Sequence, residues 1–394
     1  MFAASGTIFD VKSNKVHIFK RRSITASKPS NILQTFKIIQ VMIYFIGINT
    51  MQDWQLKRMP FIGIICHKIS KVALVFILLY ILGTDVFIVI TEKSSTNEVY
   101  YQAASEIFEC LILFYFFWLF QKSRQDIEIV FKCLDKMRSR FPHSSNIYNW
   151  EKKLNKFLVW ASIHHILYCV VYSFFVVYYT YYKEEFAAVY WLEKASLHQT
   201  FLYVHSFVVV FLKKLIISGY CDAFNLFYSL VCFVIYQICK EHLKMLNTQD
   251  GKDLENLYRV LTKNIKKIDR KLNFKVFVLF TILFFHTFKY VFDMLFEENQ
   301  RYILIGLSFE FLHDFIGFLM LSFFGSSVHE VCKGVQEKVL RLDPVIYVAQ
   351  PETLLKFQRL EIYMTLWDMI NLRRSLLITI FEIALTYAIV VGTA

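Results

Sequence analysis

Apolar residues arrive in this chain in blocks of about twenty, the length of helix that crosses ~30 Å of hydrocarbon. One block, Phe157–Tyr181, reads "FLVWASIHHILYCVVYSFFVVYYTY" without a single charge. In lipid every backbone N–H and C=O must be satisfied within the structure, and a long uninterrupted apolar run does this as a helix. Spans are expected at Lys71–Ile90, Gln102–Phe120, Phe157–Tyr181, Thr200–Ile238, Leu272–Leu295, Tyr302–Phe324 and Ser375–Gly392. The expected fold is therefore all-α, a polytopic membrane protein of seven transmembrane helices. The fourth block is too long for one crossing, and Lys213 and Lys214 are read as the mark where it leaves the bilayer.

Hydrophobic residues make up 56% of the chain, against about 45–50% in a soluble domain. The excess sits in the blocks, so no separate soluble domain is expected. Ile32–Ile48 is also apolar but is interrupted by Gln34, Lys37 and Gln40, which suits an amphipathic helix lying on the membrane surface. The first 32 residues are polar and basic and lack the apolar core of a signal peptide. The first span is the expected targeting signal.

The formal net charge of +12 is distributed by side. Residues 1–69 carry ten Lys and Arg, 121–156 nine, 239–271 nine and 325–374 seven. The alternate segments 92–101, 182–199 and 296–301 carry one, two and one. Basic residues stay on the cytoplasmic side, which predicts an N-terminus inside and a C-terminus outside. The charge is explained by topology, and nucleic acid is not an expected partner. A G-protein-coupled receptor has the opposite orientation and is excluded. Four segments follow: 1–69, cytoplasmic with the surface helix 32–48; 70–324, six helices; 325–374, cytoplasmic; and 375–394, the last helix.

None of the eight cysteines falls in an expected outer loop and no C-x-x-C pair exists, so neither disulfides nor structural zinc are expected. Nucleotide, hydrolase and metalloprotease motifs are absent. No enzyme chemistry, cofactor or metal is expected. His164 and His165 are adjacent in the third span and point to different faces, which reads as helix packing or hydrogen bonding rather than a metal pair. With 11 Gly, 5 Pro and no visible repeat, a transporter is disfavoured.

The last span, "FEIALTYAIVVGTA" in its second half, carries a carboxylate. At about 100° per residue, Ser375, Thr379, Glu382, Thr386 and Thr393 fall within an arc of about 60°, and Ile389 and Val390 fill the gap on nearly the same face. Two readings compete: the stripe packs into the chain's own bundle, or it lines a water-filled path. A buried ionisable group in a span costs ~2.5 kcal/mol or more unless paired or hydrated. In a symmetric oligomer Glu382 becomes a ring of carboxylates that favours cations, with Ile389 and Val390 a constriction that closes by dewetting.

The chain resembles the insect gustatory receptors, inverted seven-span ligand-gated cation channels related to the insect odorant receptors. The family's signature in the last span is Thr-Tyr, five apolar residues, then Gln-Phe. Here Thr386-Tyr387 is followed by Ala388–Gly392 and then Thr393-Ala394. "INLRRSLL" (Ile370–Leu377) and "HLKMLN" (His242–Asn247) resemble two further family stretches. The resemblance implies a homo- or heterotetramer in the plasma membrane of sensory neurons, a central pore lined by the last helices, and a cytoplasmic anchor. Residues 351–367 are expected to supply an anchor helix: Pro351 and Glu352 suit its start, and Leu354, Phe357, Leu360, Met364 and Trp367 repeat at three and four residues. Thr393 takes the Gln position on the polar stripe, while Ala394 lacks the aromatic plug. A divergent gate, a subunit that needs a partner, and further residues beyond Ala394 stay open.

The resemblance also implies a pocket within helices 2–6 opening outward. Its candidates are Tyr172, Ser173, Tyr178 and Tyr179; Tyr203, His205 and Ser206; His286, Thr287, Tyr290 and Asp293; and Ser308, Glu310, His313 and Asp314. Aromatic walls with a few directed polar groups suit small molecules. His286→Ala or Glu310→Ala is expected to shift ligand potency at unchanged surface expression. The implied function is a cation channel opened by a small-molecule tastant, bitter or plant-derived by analogy. The alternatives are a sugar receptor and a non-conducting accessory subunit.

Overall fold

The computed structural model describes residues 97–139, 146–183, 199–245, 251–296 and 301–342, with shorter stretches within 40–86 and 362–389. The elements are α1 (Asn97–Gln121), α2 (Arg124–Arg138), α3 (Asn146–Lys183), α4 (Gln199–Lys213), a π-helical segment (Lys214–Ser218), α5 (Gly219–Met245), α6 (Gly251–Phe296), α7 (Arg301–Leu342), β1 (Thr365–Leu366) and β2 (Ile370–Asn371). The described residues within 64–86, and within 378–389, are helical. Most of the expected surface helix 32–48, most of the first span, and the anchor stripe up to Leu360 lie outside the described residues.

Among the described residues, four helices are long and apolar enough to cross a membrane: Lys156–Tyr178, Gly219–Lys244, Tyr258–Val291 and Ser308–Lys338. Two shorter apolar stretches, Cys110–Gln121 and Tyr203–Lys213, accompany them. Their outer faces are apolar. On α7, Phe309, Leu312, Ile316, Leu319 and Phe323 form an exposed stripe at alternating spacings of three and four; on α3, Trp160, Ile163, Leu167 and Phe174 do the same. A surface of this kind is stable against acyl chains and costly against water. The protein is a multi-pass membrane protein.

The centre of the bundle is α5. Phe224, Phe227, Tyr228, Val231, Cys232, Ile235 and Cys239 are all at most 1% exposed. Against them pack α6 through Ile268, Leu272, Val276 and Leu279, and α7 through Leu321, Val328, Cys332 and Val335. Phe116 and Phe120 of α1 meet Phe224 edge-on, with ring centroids 5.6 and 4.7 Å apart, a favoured aromatic geometry. The seven described cysteines are buried.

The sequence reading treats 121–156 only as a basic connection, yet it contains α2. Ile127, Val130, Phe131, Leu134 and Met137 recur at helical spacing, and all are buried against the bundle. Asp126 on the first turn of α2 accepts from Lys275 Nζ at 2.8 Å and lies 3.0 Å from Lys271 Nζ, tying α2 to α6. Burial alone would raise its carboxyl pKa; the hydrogen bonds from Lys275 and Lys271 outweigh this and hold it below the ordinary value.

The anchor expectation needs correction. At the end of the stretch 351–367, Thr365 and Leu366 are not helical: β1 and β2 pair antiparallel, Thr365 opposite Asn371 and Leu366 opposite Ile370. Ile362, Met364, Leu366 and Leu372 are buried to 2% or less, an alternation with the period of a strand. A polar clamp holds the hairpin. Asp269 on α6 accepts from the Thr365 backbone N–H and from Thr365 Oγ1, each at 2.8 Å. His329 Nδ1 on α7 lies 3.0 Å from the Ile362 carbonyl. Leu372 sits so close to Gly325 that a Cβ there would meet Leu372 Cδ1 at 2.8 Å. The chain then enters the last helix, whose described residues begin at Ile378.

Candidate functional site

The longest helical run, Gln199 to Met245, contains one departure from α geometry, the π-helical segment Lys214–Ser218. A π segment adds a residue to the turn and re-aims the side chains that follow it, which is why such segments recur at functional sites. Here it turns Lys214 inward. Lys214 therefore faces other helices of the bundle. Lys214 is buried in the bundle, donating to Glu310 of α7 and standing 4.3 Å from the centre of the Tyr172 ring on α3. A lysine inside a membrane bundle is tolerable only with such partners.

Two further ion pairs lie in the same layer. His286 Nδ1 of α6 is 3.1 Å from Asp314 Oδ2 of α7. Asp222, four residues past the π segment, presents Oδ2 to two imidazoles: His313 Nε2 at 3.0 Å and His165 Nδ1 at 2.6 Å. Tyr168 stacks on His313 with centroids 3.8 Å apart and lies beside Phe309. Behind His165, Nε2 is 3.5 Å from Cys169 Sγ. Three transmembrane acids, three histidines and a lysine thus meet on α3, α5, α6, α7 and the π segment.

A cleft opens onto this layer, lined by Lys213, Lys214, Ser218, Cys221, Asp222, Ile282, Leu283, His286 and Asp314. The enclosed space is that of about one or two waters, smaller than any drug-sized molecule needs. A ligand would enter by separating helices that now touch.

Of the expected pocket residues, Tyr172, His286, Glu310, His313 and Asp314 are brought together, and Tyr290 is buried with its ring 6.1 Å from that of His286. Tyr203 and His205 sit farther along α4, where the His205 ring tilts against Tyr80 and Phe201 at 6.2 and 6.1 Å. Ser308 is exposed beside Phe309, on the outward face of α7, so it is not a wall of the cleft. Ser173 is buried but returns its hydroxyl to the Cys169 carbonyl at 2.7 Å. The side chains of Tyr179 and Asp293 lie outside those described.

Of His164 and His165, expected to pack or hydrogen-bond, the second makes polar contacts inside the bundle. They do face apart, His164 outward and His165 inward, but His165 meets Asp222 and His313 from other helices. Asp222 went unnoticed in the sequence, although it is the sole acid between Thr200 and Ile238. An acid within an apolar block was the available signal.

On the last helix, Thr379, Glu382, Thr386 and Ile389 are all exposed in the single chain, as are Ile378, Ile383 and Leu385. The polar stripe is not packed into the chain's own core. Ser375, Val390 and Thr393 lie outside the described residues.

No protein-family model matches this sequence, and no curated protein matches it. Among solved structures, the insect olfactory receptor OR5 from Machilis hrabei is similar, with a TM-score of 0.60 over 92% of this chain and 98% of that one, at 12% identity. At that identity the likeness speaks for the fold alone: this chain adopts a fold similar to that of this receptor.

Proposed function

We propose that this chain is a subunit of a ligand-gated, non-selective cation channel with a binding and gating role rather than an enzymatic one. It is a seven-span subunit of a homo- or heterotetramer, N-terminus cytoplasmic and C-terminus outside, in the plasma membrane of a sensory neuron. The observation that carries the reading is the cleft on the buried charged layer: a water-sized gap in the interior of a membrane bundle, walled by ionisable groups that a merely structural core would replace with apolar ones. Likeness to the fold of an olfactory receptor supports it.

The ligand is a small tastant, bitter or plant-derived. Asp222 and Asp314 line the cleft and suit a protonated amine of the kind plant alkaloids carry. Its entry separates α5, α6 and α7, and the hairpin held by Asp269 and His329 passes that movement to the last helix. Glu382 and Thr386, exposed in one chain, face the shared axis in four, where Ile389 closes the path until the helices move apart.

The test is expression of the full chain alone, with currents recorded during application of alkaloids such as caffeine and quinine, and of sucrose. Alkaloid-evoked inward current is expected, with Glu382→Gln lowering the calcium-to-sodium permeability ratio and His286→Ala moving the dose–response curve at equal surface level. A chain that reaches the surface and conducts under none of these compounds overturns the reading.

A further inference from the structure

From the convergence of His165, Asp222 and His313 we infer a binding site for a divalent transition metal of the zinc class, between α3, α5 and α7. Each residue offers one ligand atom, and the three atoms lie within 4.8 Å of one another. Zinc takes imidazole nitrogen and carboxylate oxygen at about 2.0–2.2 Å in a tetrahedron, commonly with three protein ligands and one water. Bonds of that length place neighbouring ligand atoms a little over ~3 Å apart. Of the observed separations to Asp222 Oδ2, 2.6 Å and 3.0 Å, the shorter needs to open by ~0.7–0.8 Å and the longer by ~0.3–0.4 Å to reach that spacing.

Three further observations favour a metal over a plain hydrogen-bonded trio. His165 is 9% exposed, and its Nδ1 stands 2.6 Å from the Asp222 carboxylate and makes no further hydrogen bond among the described residues, so both ligand atoms are held inside the bundle. Next, Cys169 Sγ stands 3.5 Å from the other ring nitrogen, Nε2. A proton held on Nε2 leaves Nδ1 free to ligate, the usual way in which a group behind the ring selects the ligating tautomer. Finally, there is a route in and a fourth position: Asp222 also lines the cleft, which admits an ion and supplies the water ligand. The Tyr168 ring packed on His313 fixes the imidazole plane, as ligand sites require of their supporting residues. Such an ion would join three helices that the cleft must separate, and so hold the bundle in its closed form.

The experiment reads binding directly on the purified full chain in detergent micelles, so it stands whether or not the chain conducts. After chelator treatment, cobalt(II) alone is titrated in, then displaced by zinc(II). One equivalent per chain with the intense visible bands of tetrahedral cobalt is expected. Asp222→Asn keeps the shape of the carboxylate and one acceptor oxygen, and is expected to weaken zinc binding about tenfold or more. His313→Ala should do the same, whereas His286→Ala, one helix away in the same layer, should bind as the parent does. Zinc should raise the melting temperature of the parent and leave that of Asp222→Asn unmoved. The inference is overturned if the parent binds no stoichiometric metal, or if Asp222→Asn and His313→Ala bind it as tightly as the parent.

Discussion

The end of the bundle near residues 296–301 and the end that carries α2 use charge differently. At the first, Lys214, Glu310, Asp222, His165, His313, His286 and Asp314 pair with one another across transmembrane helices. At the second, Asp126 and Asp269 each fasten a peripheral element, α2 or the hairpin, onto α6. Between them lies the dry stack of α5, where Val231, Cys232 and Ile235 are fully enclosed. Interior pairs are costly to break because each lost partner strands a desolvated charge. Of the peripheral acids, Asp126 is a quarter exposed, so its pairs are screened and weaken gradually, while Asp269 is buried and holds by its two hydrogen bonds to Thr365. A layer of the first kind has few stable arrangements and suits a switch; pairs of the second kind suit a clamp that must hold in every state.

The largest effect follows from that difference. Lys214→Met leaves Glu310 buried and alone, and is expected to cost about 3–5 kcal/mol. The double substitution Lys214→Met with Glu310→Met removes both charges and should recover most of that loss, since apolar replacement of a buried pair is often neutral. Thermal melting of the two variants in detergent checks this; equal destabilisation would show that the pair is solvated and the two ends alike. The same pairing revises the expectation for Glu310→Ala, which should lower surface expression by stranding Lys214, so His286→Ala is the cleaner probe of ligand potency.

Next in size is the clamp. Asp269→Ala removes two charge-assisted hydrogen bonds to Thr365 from a buried acid, each worth roughly 1.5–3 kcal/mol. The loss should be local. Amide exchange is expected to quicken across 362–372 while α5 keeps its protection, and quickening throughout α5 would show that the clamp and the core are one cooperative unit.

What the sequence made legible follows the range of the interactions. Block length predicted the membrane helices because lipid imposes it on each segment separately, and the boundaries of Gln102–Phe120 fall within α1. The helix spacing of Ile127, Val130, Phe131 and Leu134 was equally readable, and was passed over because a basic connection was taken for a loop. The hairpin at 365–371 was hidden: Met364 and Trp367 fit a helical stripe as well as Ile362, Met364 and Leu366 fit a strand, and only the seat offered by Gly325 and Asp269 decides. Of the site, His286, Glu310 and His313 were found as polar groups in apolar spans. Asp314, the partner of His286, was among them too; the partners of Glu310 and His313 were not, because Lys214 turns inward through a π segment that no local pattern announces, and Asp222 lies on another helix, 91 positions from His313.

The smallest effect concerns acid. Asp126 has its pKa lowered in the folded state from 3.8, so its pairing stabilises the fold above that value and is lost as pH falls through the lower, folded one. Because the carboxylate is a quarter exposed, the contribution is screened and should stay below about 1 kcal/mol. Other acids titrate in the same window, so the informative quantity is the difference between the parent and Asp126→Asn. At about pH 6 the parent should melt slightly higher, and the two curves should converge on acidification below the unfolded carboxylate's range, or on raising salt at constant pH, which screens an exposed pair. A gap that survives high salt would place Asp126 with the interior pairs and erase the distinction between the two ends at that residue.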